Sequence, residues 1–206
     1  MPAVDAPDPV RGTGSRLLPV LPLDDLCLFP GASLALVVDR PAALSAAQLA
    51  RRTGGHLLAL ARRETNGGPR DVHAIGTVAA ILSTQALSPR EHRFELDGLS
   101  RARAETLLGV EVLVAEAVPL EEGNEGDESG PAVEALARYL HAHADLRAFL
   151  QGQRRSAGAM SWVNLACQHL PITASARQKL LEASAPERCL KISRGLDALL
   201  RKEHTT

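Results

Sequence analysis

Aromatic side chains are nearly absent: one Trp, one Tyr and three Phe in 206 residues. A core here must be assembled from Leu, Val, Ile and Ala, and there is no material for an aromatic ligand cage or a stacking platform for nucleic-acid bases. Lysine is almost as scarce, with only Lys179, Lys191 and Lys202. Cys27, Cys167 and Cys189 are too few and too scattered for a disulfide framework, and the odd count fits a reducing compartment. No run approaches the ~20 apolar residues of a membrane helix. The first fifteen residues lack the apolar segment of a signal peptide. These absences predict a soluble, cytoplasmic protein.

What is present is globular. Apolar residues make up 45% of the chain, enough in a chain of this length to bury a core without staples. The formal net charge is only -1, which supplies no general pull toward nucleic acid. The charge is unevenly spread. Residues 1–130 carry 12 Lys or Arg against 18 Asp or Glu, whereas residues 131–206 carry 11 against 6. The plain reading is an acidic linker plus solvated helix faces. The sharper one is a basic helical lobe that docks on an acidic partner.

Along the chain, residues 1–15 are rich in Pro, Asp and Gly without periodicity and read as a disordered tail. From 16 to 120 the pattern is mostly strand-like. Leu34 to Val38 and His56 to Leu60 are apolar runs of strand length. Between them Ala42 to Arg52 reads as a helix, with Pro41 in its first turn and Gly54-Gly55 at its end. Gly67-Gly68-Pro69 marks a loop. Ile75 to Leu87 and Glu91 to Asp97 read as a hairpin around Ser88-Pro89-Arg90, with Arg101 to Leu107 and Val110 to Val118 as further strands. Many short strands with one internal helix predict a small, partly closed β-barrel. Residues 121–130 contain no apolar side chain and read as a flexible acidic linker. From 131 to 206 the period is helical. Val133, Leu136, Leu140 and Ala144 form one stripe and Met160, Val163, Cys167 and Leu170 a second, stopped before Pro171. Ser175 with Gln178, and Ser184 with Glu187, have capping-box spacing, opening a third helix and a fourth with Cys189, Ile192, Leu196 and Leu199 on its face. The class is α+β: a β-rich pseudo-barrel lobe with one internal helix, then an α-helical bundle lobe.

No constellation of catalytic residues emerges. His141 and His143 are two apart, on opposite sides of a helix, and no Cys-x-x-Cys or His-Glu-x-x-His string occurs. There is no phosphate-binding Gly-rich loop with Lys and Ser or Thr. Ser175 and Lys179 lie one turn apart, but Ser175 reads as a cap and Lys179 as exposed, so no serine–lysine dyad is assigned. The expectation is no catalytic residue, no metal and no cofactor. Arg101 and Arg103 alternate on a strand and are expected to pair with Glu95 and Asp97 on a neighbouring strand. Trp162 shares a helix with Met160, Val163 and Leu165 and is expected in core or lobe–lobe packing, and Phe29 before Pro30-Gly31 is expected to plug the core. Arg40, Arg101, Arg103 and Trp162 are the candidate binding surface.

Three blocks follow one another at characteristic separations: Leu28-Phe29-Pro30-Gly31, Gly76-Thr77-Val78-Ala79-Ala80-Ile81, and Phe94-Glu95-Leu96-Asp97-Gly98-Leu99-Ser100-Arg101-Ala102-Arg103. Together with Leu18 to Leu23, Leu170-Pro171, Gln178-Lys179, Leu181-Glu182 and Glu187-Arg188, they resemble the N-terminal substrate-binding domain of the Lon family of ATP-dependent proteases. The resemblance spans about Leu17 to Leu200. Ala35 stands where many members carry a second proline. The resemblance implies a PUA-like β-lobe and a non-enzymatic module that recognises polypeptide substrates, a protease or another partner protein, standing alone without ATPase and peptidase modules. A sheet edge would accept an extended peptide, and a cleft between the lobes would supply an apolar groove. The alternatives are a nucleic-acid-binding module, disfavoured by charge and composition, and a small-molecule enzyme using the interlobe cleft.

Overall fold

The computed structural model of the chain describes residues 14–63, 68, 70–122, 129–153 and 158–203. The expected tail up to residue 13, most of the loop at 67–69, and residues 123–128 of the acidic stretch lie outside the described residues. The order of elements is β1 (Arg16–Leu23), β2 (Ser33–Val38), α1 (Pro41–Arg52), β3 (His56–Ala61), β4 (Ile75–Ala86), β5 (His92–Leu108), β6 (Val114–Pro119), α2 (Gly130–Ala142), α3 (Ala144–Gln153), α4 (Ala159–His169), α5 (Ala174–Glu182) and α6 (Ala185–Glu203). The architecture is α+β.

Five strands close on themselves. β1 pairs with β3 in parallel and with β6 antiparallel, and β3–β4, β4–β5 and β5–β6 complete the ring. A closed ring removes the unpaired edges an open sheet would present. Two stretches extend beyond the ring among the described residues: β2 pairs with the first half of β5 alone, from Ser33↔Asp97 to Val38↔His92, and β4 runs on past Ala80, where its pairing with β3 ends, so that residues 83–86 pair with β5 alone.

β1 and β3 read as continuous apolar runs because both of their faces are buried. Leu18, Val20, Leu58 and Leu60 point into the barrel with Val78, Ala102, Ala115 and Ala117. The alternate residues Leu21, Leu23, Leu57, Ala59 and Ala61 point outward into a second, larger cluster. That cluster continues through α1 (Ala43, Ala47, Ala50) and the β1–β2 connection (Cys27, Leu28, Phe29, Ala32) into Leu136, Val163, Leu181, Ile192 and Leu196 of the helices. Barrel and helices thus share one apolar layer.

Several local expectations are corrected. The expected separate strands at Glu91–Asp97 and Arg101–Leu107 are one 17-residue strand, β5, which bridges two neighbours by pairing first with β2 and then with β6. The last strand begins at Val114, not Val110, because Gly109 takes a positive φ and turns the chain. Ala144 does not extend the first helical stripe: α2 ends at Ala142, and Ala144 opens α3. Ser175 is not the cap of α5. Thr173 is, its hydroxyl accepting from the Ala176 N–H at 3.2 Å. At α6 the Glu187 carboxylate accepts from the Ser184 N–H at 3.2 Å, one half of a capping box.

Candidate functional site

The three sequence blocks meet at the junction of barrel and helices. The β1–β2 connection wedges Phe29, fully buried, between them. The Phe29 N–H donates to Gln168 Oε1 of α4 at 3.0 Å, and the Arg188 guanidinium of α6 lies 6.0 Å from its ring centroid. The Thr77 hydroxyl donates to the Leu28 carbonyl. Gly31 N–H donates to the Gly98 carbonyl at 2.8 Å, and Gly98 N–H to the Ala32 carbonyl at 2.9 Å. A Cβ at Gly98 would strike the Phe29 carbonyl, and one at Gly76 the Ala59 carbonyl, so both glycines are required by close backbone approach.

Arg101 reaches from β5 across this junction. Its guanidinium donates to the Leu181 and Ala183 carbonyls at 3.0 and 2.7 Å, satisfying the open C-terminal end of α5, and to Glu122 at 2.6 Å. Glu122 also holds Arg188, which is fully buried and donates to Leu180, Ala183 and Asn164. One carboxylate therefore faces two buried guanidiniums. Burial and the neighbouring Arg188 push the Arg101 guanidinium down from its usual range, and Glu122 opposes them. The expected pairing of Arg101 with Glu95 or Asp97 does not occur.

The other sequence candidates are dispersed. Arg103 is exposed and outside this network. Arg40 sits before α1, more than half exposed, 3.2 Å from Asp24. Trp162 is half-buried against the shared apolar layer. Glu122 and Gln168 went unread in the sequence, and Gln178 and Arg188 were noted for cap spacing and family resemblance and not as junction partners. Gln178 spans the lobes, donating to the Ile75 carbonyl at 3.0 Å while its Oε1 lies 3.5 Å from the Cys27 thiol. A polar side chain buried in a helix leaves no periodicity signal of its own.

The junction is filled rather than open. A polar hollow of about 260 Å³ remains at its edge, where Asp25, Arg62, Arg63 and His73 meet the start of α5. Arg62 is paired with Asp24, Arg63 with Asp71 and His73 with Glu182. The larger space, about 570 Å³, lies within the helical lobe between α5 and α6, floored by Leu170, Ile172, Leu180, Ile192, Leu196 and Leu199. The second open surface is β2, whose outer edge is unpaired among the described residues and whose Val37 is 57% exposed. No group of three His, Cys, Asp or Glu is placed to hold a metal among the described residues. No described helix is long and apolar enough to cross a membrane.

A family model described as the ATP-dependent protease La (LON) substrate-binding domain matches residues 17–196. Similar curated proteins include the Lon protease of Desulfovibrio desulfuricans, 30% identical over 139 residues, covering 66% of this chain and 16% of that protein. The Lon protease of Methylocella silvestris is 32% identical over 155 residues, covering 71% and 18%. The chain thus spans under a fifth of the length of these relatives. The fold is shared with the N-terminal domain of Mycobacterium avium complex Lon protease, at TM-score 0.70 and 19% identity, over 89% of this chain and 98% of that one. It is shared also with a Lon N-terminal domain protein from Xanthomonas campestris, at TM-score 0.62 and 22% identity, over 85% and 95%.

Proposed function

The chain belongs to the Lon substrate-binding domain family, and from that premise we propose that it captures polypeptide without cutting it, holding an extended client segment along the outer edge of β2. The observation that carries this reading is the outer edge of β2, unpaired among the described residues, with the apolar side chain of Val37 exposed beside it. Such an edge presents alternate N–H and C=O groups to solvent, and a peptide laid beside it satisfies them whatever its sequence. Exposed Val37 adds an apolar contact on the outer face, while Leu34 and Leu36 anchor the inner face to the shared core. Backbone pairing with a few apolar contacts suits clients that have in common only being unfolded. The filled junction holds no substrate in this reading; it fixes the helical lobe against the barrel. The working partner is a polypeptide client or a protease-linked protein, encountered in the cytoplasm.

The test uses the full chain, a permanently reduced and alkylated client protein, and amide NMR shifts. Shifts should concentrate on Ser33–Val38 and the facing residues His92–Asp97. Val37→Lys, which places a charge beside the edge, should weaken capture by about tenfold without changing the unfolding midpoint. Client binding that leaves the amides of β2 unmoved, or absence of binding, would overturn the reading.

A further inference from the structure

We propose that the groove between α5 and α6 is a second binding site, for an acidic amphipathic helix of a partner protein, separate from client capture at β2. Three independent features point to it.

The first is shape. The groove is about 570 Å³, within the range of pockets that hold ligands, and its floor is aliphatic. It runs along α6 from Glu187 to Leu199, about 18 Å at the rise of an α-helix, or some three turns of an occupant helix. A helix with apolar residues at i, i+3, i+4 and i+7 fills a trough of that length.

The second is charge. Lys179 on α5 and Lys191 on α6 stand on the two rims, both exposed, and neither has an ion pair or hydrogen bond among the described residues. The two rim carboxylates are already engaged: Glu182 accepts from Gln178 and lies 3.0 Å from His73, and Glu187 accepts from the Ser184 N–H. Asp197, further along α6, is held by Arg138. These carboxylates keep their charge but are turned to the fold's own donors, so the charged groups that stand unpartnered at the rim are two of the chain's three lysines, within a segment that carries 11 basic against 6 acidic residues. A partner with Glu or Asp flanking its apolar stripe finds two unpartnered ammonium groups, whereas a basic one finds carboxylates already hydrogen-bonded within the fold.

The third is Gly195. It lies inside the 19-residue α6, where glycine is a poor helix former, and it lines the groove. A Cβ there would meet nothing within 4 Å. No packing within the fold demands glycine at this position; what its missing side chain does provide is depth in the groove.

That glycine supplies the test. A side chain at position 195 occupies the trough while favouring the helix, so Gly195→Leu blocks the site without endangering the fold. The probe is a fluorescein-labelled, stapled helical peptide of about 14 residues with Leu in the i, i+3, i+4, i+7 pattern and Glu elsewhere, read by anisotropy on the full chain. Micromolar binding is expected, weakened at least about tenfold in Gly195→Leu with an equal or higher thermal midpoint. Lys179→Glu combined with Lys191→Glu should invert the preference toward the same peptide carrying Lys in place of Glu. Failure of the acidic peptide to bind, equal binding of both peptides by the native chain, or unchanged binding in Gly195→Leu would overturn the proposal. Capture of the unfolded client is measured on the same Gly195→Leu protein. Retained capture with lost peptide binding supports two separate sites. Lost capture together with lost peptide binding overturns their separation, and lost capture by the native chain alone fails only the β2 reading.

Discussion

Arg101 makes the densest set of polar contacts described at the junction: it carries four donors from the barrel to the end of α5 and to Glu121 and Glu122. Arg101→Met keeps the aliphatic stem and removes those donors, leaving the Leu181 carbonyl buried without this partner. Urea unfolding should record a loss of about 3 kcal/mol, against under ~0.5 kcal/mol for Arg103→Met on the exposed side of the same strand. Equal effects would show that Arg101 does not clamp the junction. The sequence placed both arginines opposite Glu95 and Asp97 because the two strings read as separate strands. On one continuous strand, residues four to eight apart in sequence are roughly 13–27 Å apart and cannot pair across a ladder. The cysteines are also residue-scale facts. Burial pushes the Cys27 and Cys167 thiols up to about 12. Their folded values exceed the unfolded ones, so the protons they hold stabilise the fold below about pH 9. That stability is lost as pH rises from about 9 to about 12, at ~1.4 kcal/mol per pH unit for each thiol. Native protein at pH 8 should therefore react slowly with a thiol reagent and give its full count of three free thiols only in denaturant. Rapid native labelling at Cys167 would contradict this.

At the scale of elements, type was legible and boundaries were less so. The amphipathic stripe Cys189, Ile192, Leu196 was readable because one face of α6 is buried and the period shows it. The union of the two β5 segments was not: the reading broke between Asp97 and Arg101, where Gly98 is a close approach to the Phe29 carbonyl inside a strand. Caps divide in the same way. Spacing identified Ser184 with Glu187 but also suggested Ser175, two residues beyond the true cap, Thr173. Thr173→Ala removes the hydroxyl that accepts from Ala176 and should cost about 1 kcal/mol. Ser184→Ala should cost under ~0.5 kcal/mol, because here the Glu187 carboxylate makes the cap and the Ser184 backbone N–H survives the change. Chemical denaturation of the two variants side by side checks the order, and a larger loss for Ser184→Ala would reverse the assignment.

The whole molecule couples a ring of strands to a bundle of helices through a shared core and polar contacts among which Glu122 joins two buried arginines. Sequence reading divided the chain near residues 121–130, where apolar residues vanish. A compositional boundary marks where the chain crosses, however, and not how firmly the parts adhere; that is decided by side chains far apart in sequence, such as Phe29 with Arg188 and Arg101 with Leu181. The open surfaces were legible only in kind, because which edges stay unpaired depends on how β5 divides between β2 and β6, pairings no local pattern encodes. Cutting the chain separates the two notions. A site for a sequence-specific protease inserted between Gly126 and Asp127 leaves Glu121 and Glu122 with the barrel half. If the shared core and the Arg101–Glu122–Arg188 contacts hold the halves together, the nicked protein should elute from size exclusion as one species and keep the intact chain's Trp162 fluorescence. It should still unfold in urea in a single transition, at a lower midpoint that now depends on protein concentration, since unfolding also releases two chains. Glu122→Gln in the nicked protein leaves two buried guanidiniums without a counter-charge, and it should favour separation far more than the same change weakens the intact chain's elution profile. Two species of half size before any denaturant would mean that the parts are held by the covalent crossing alone.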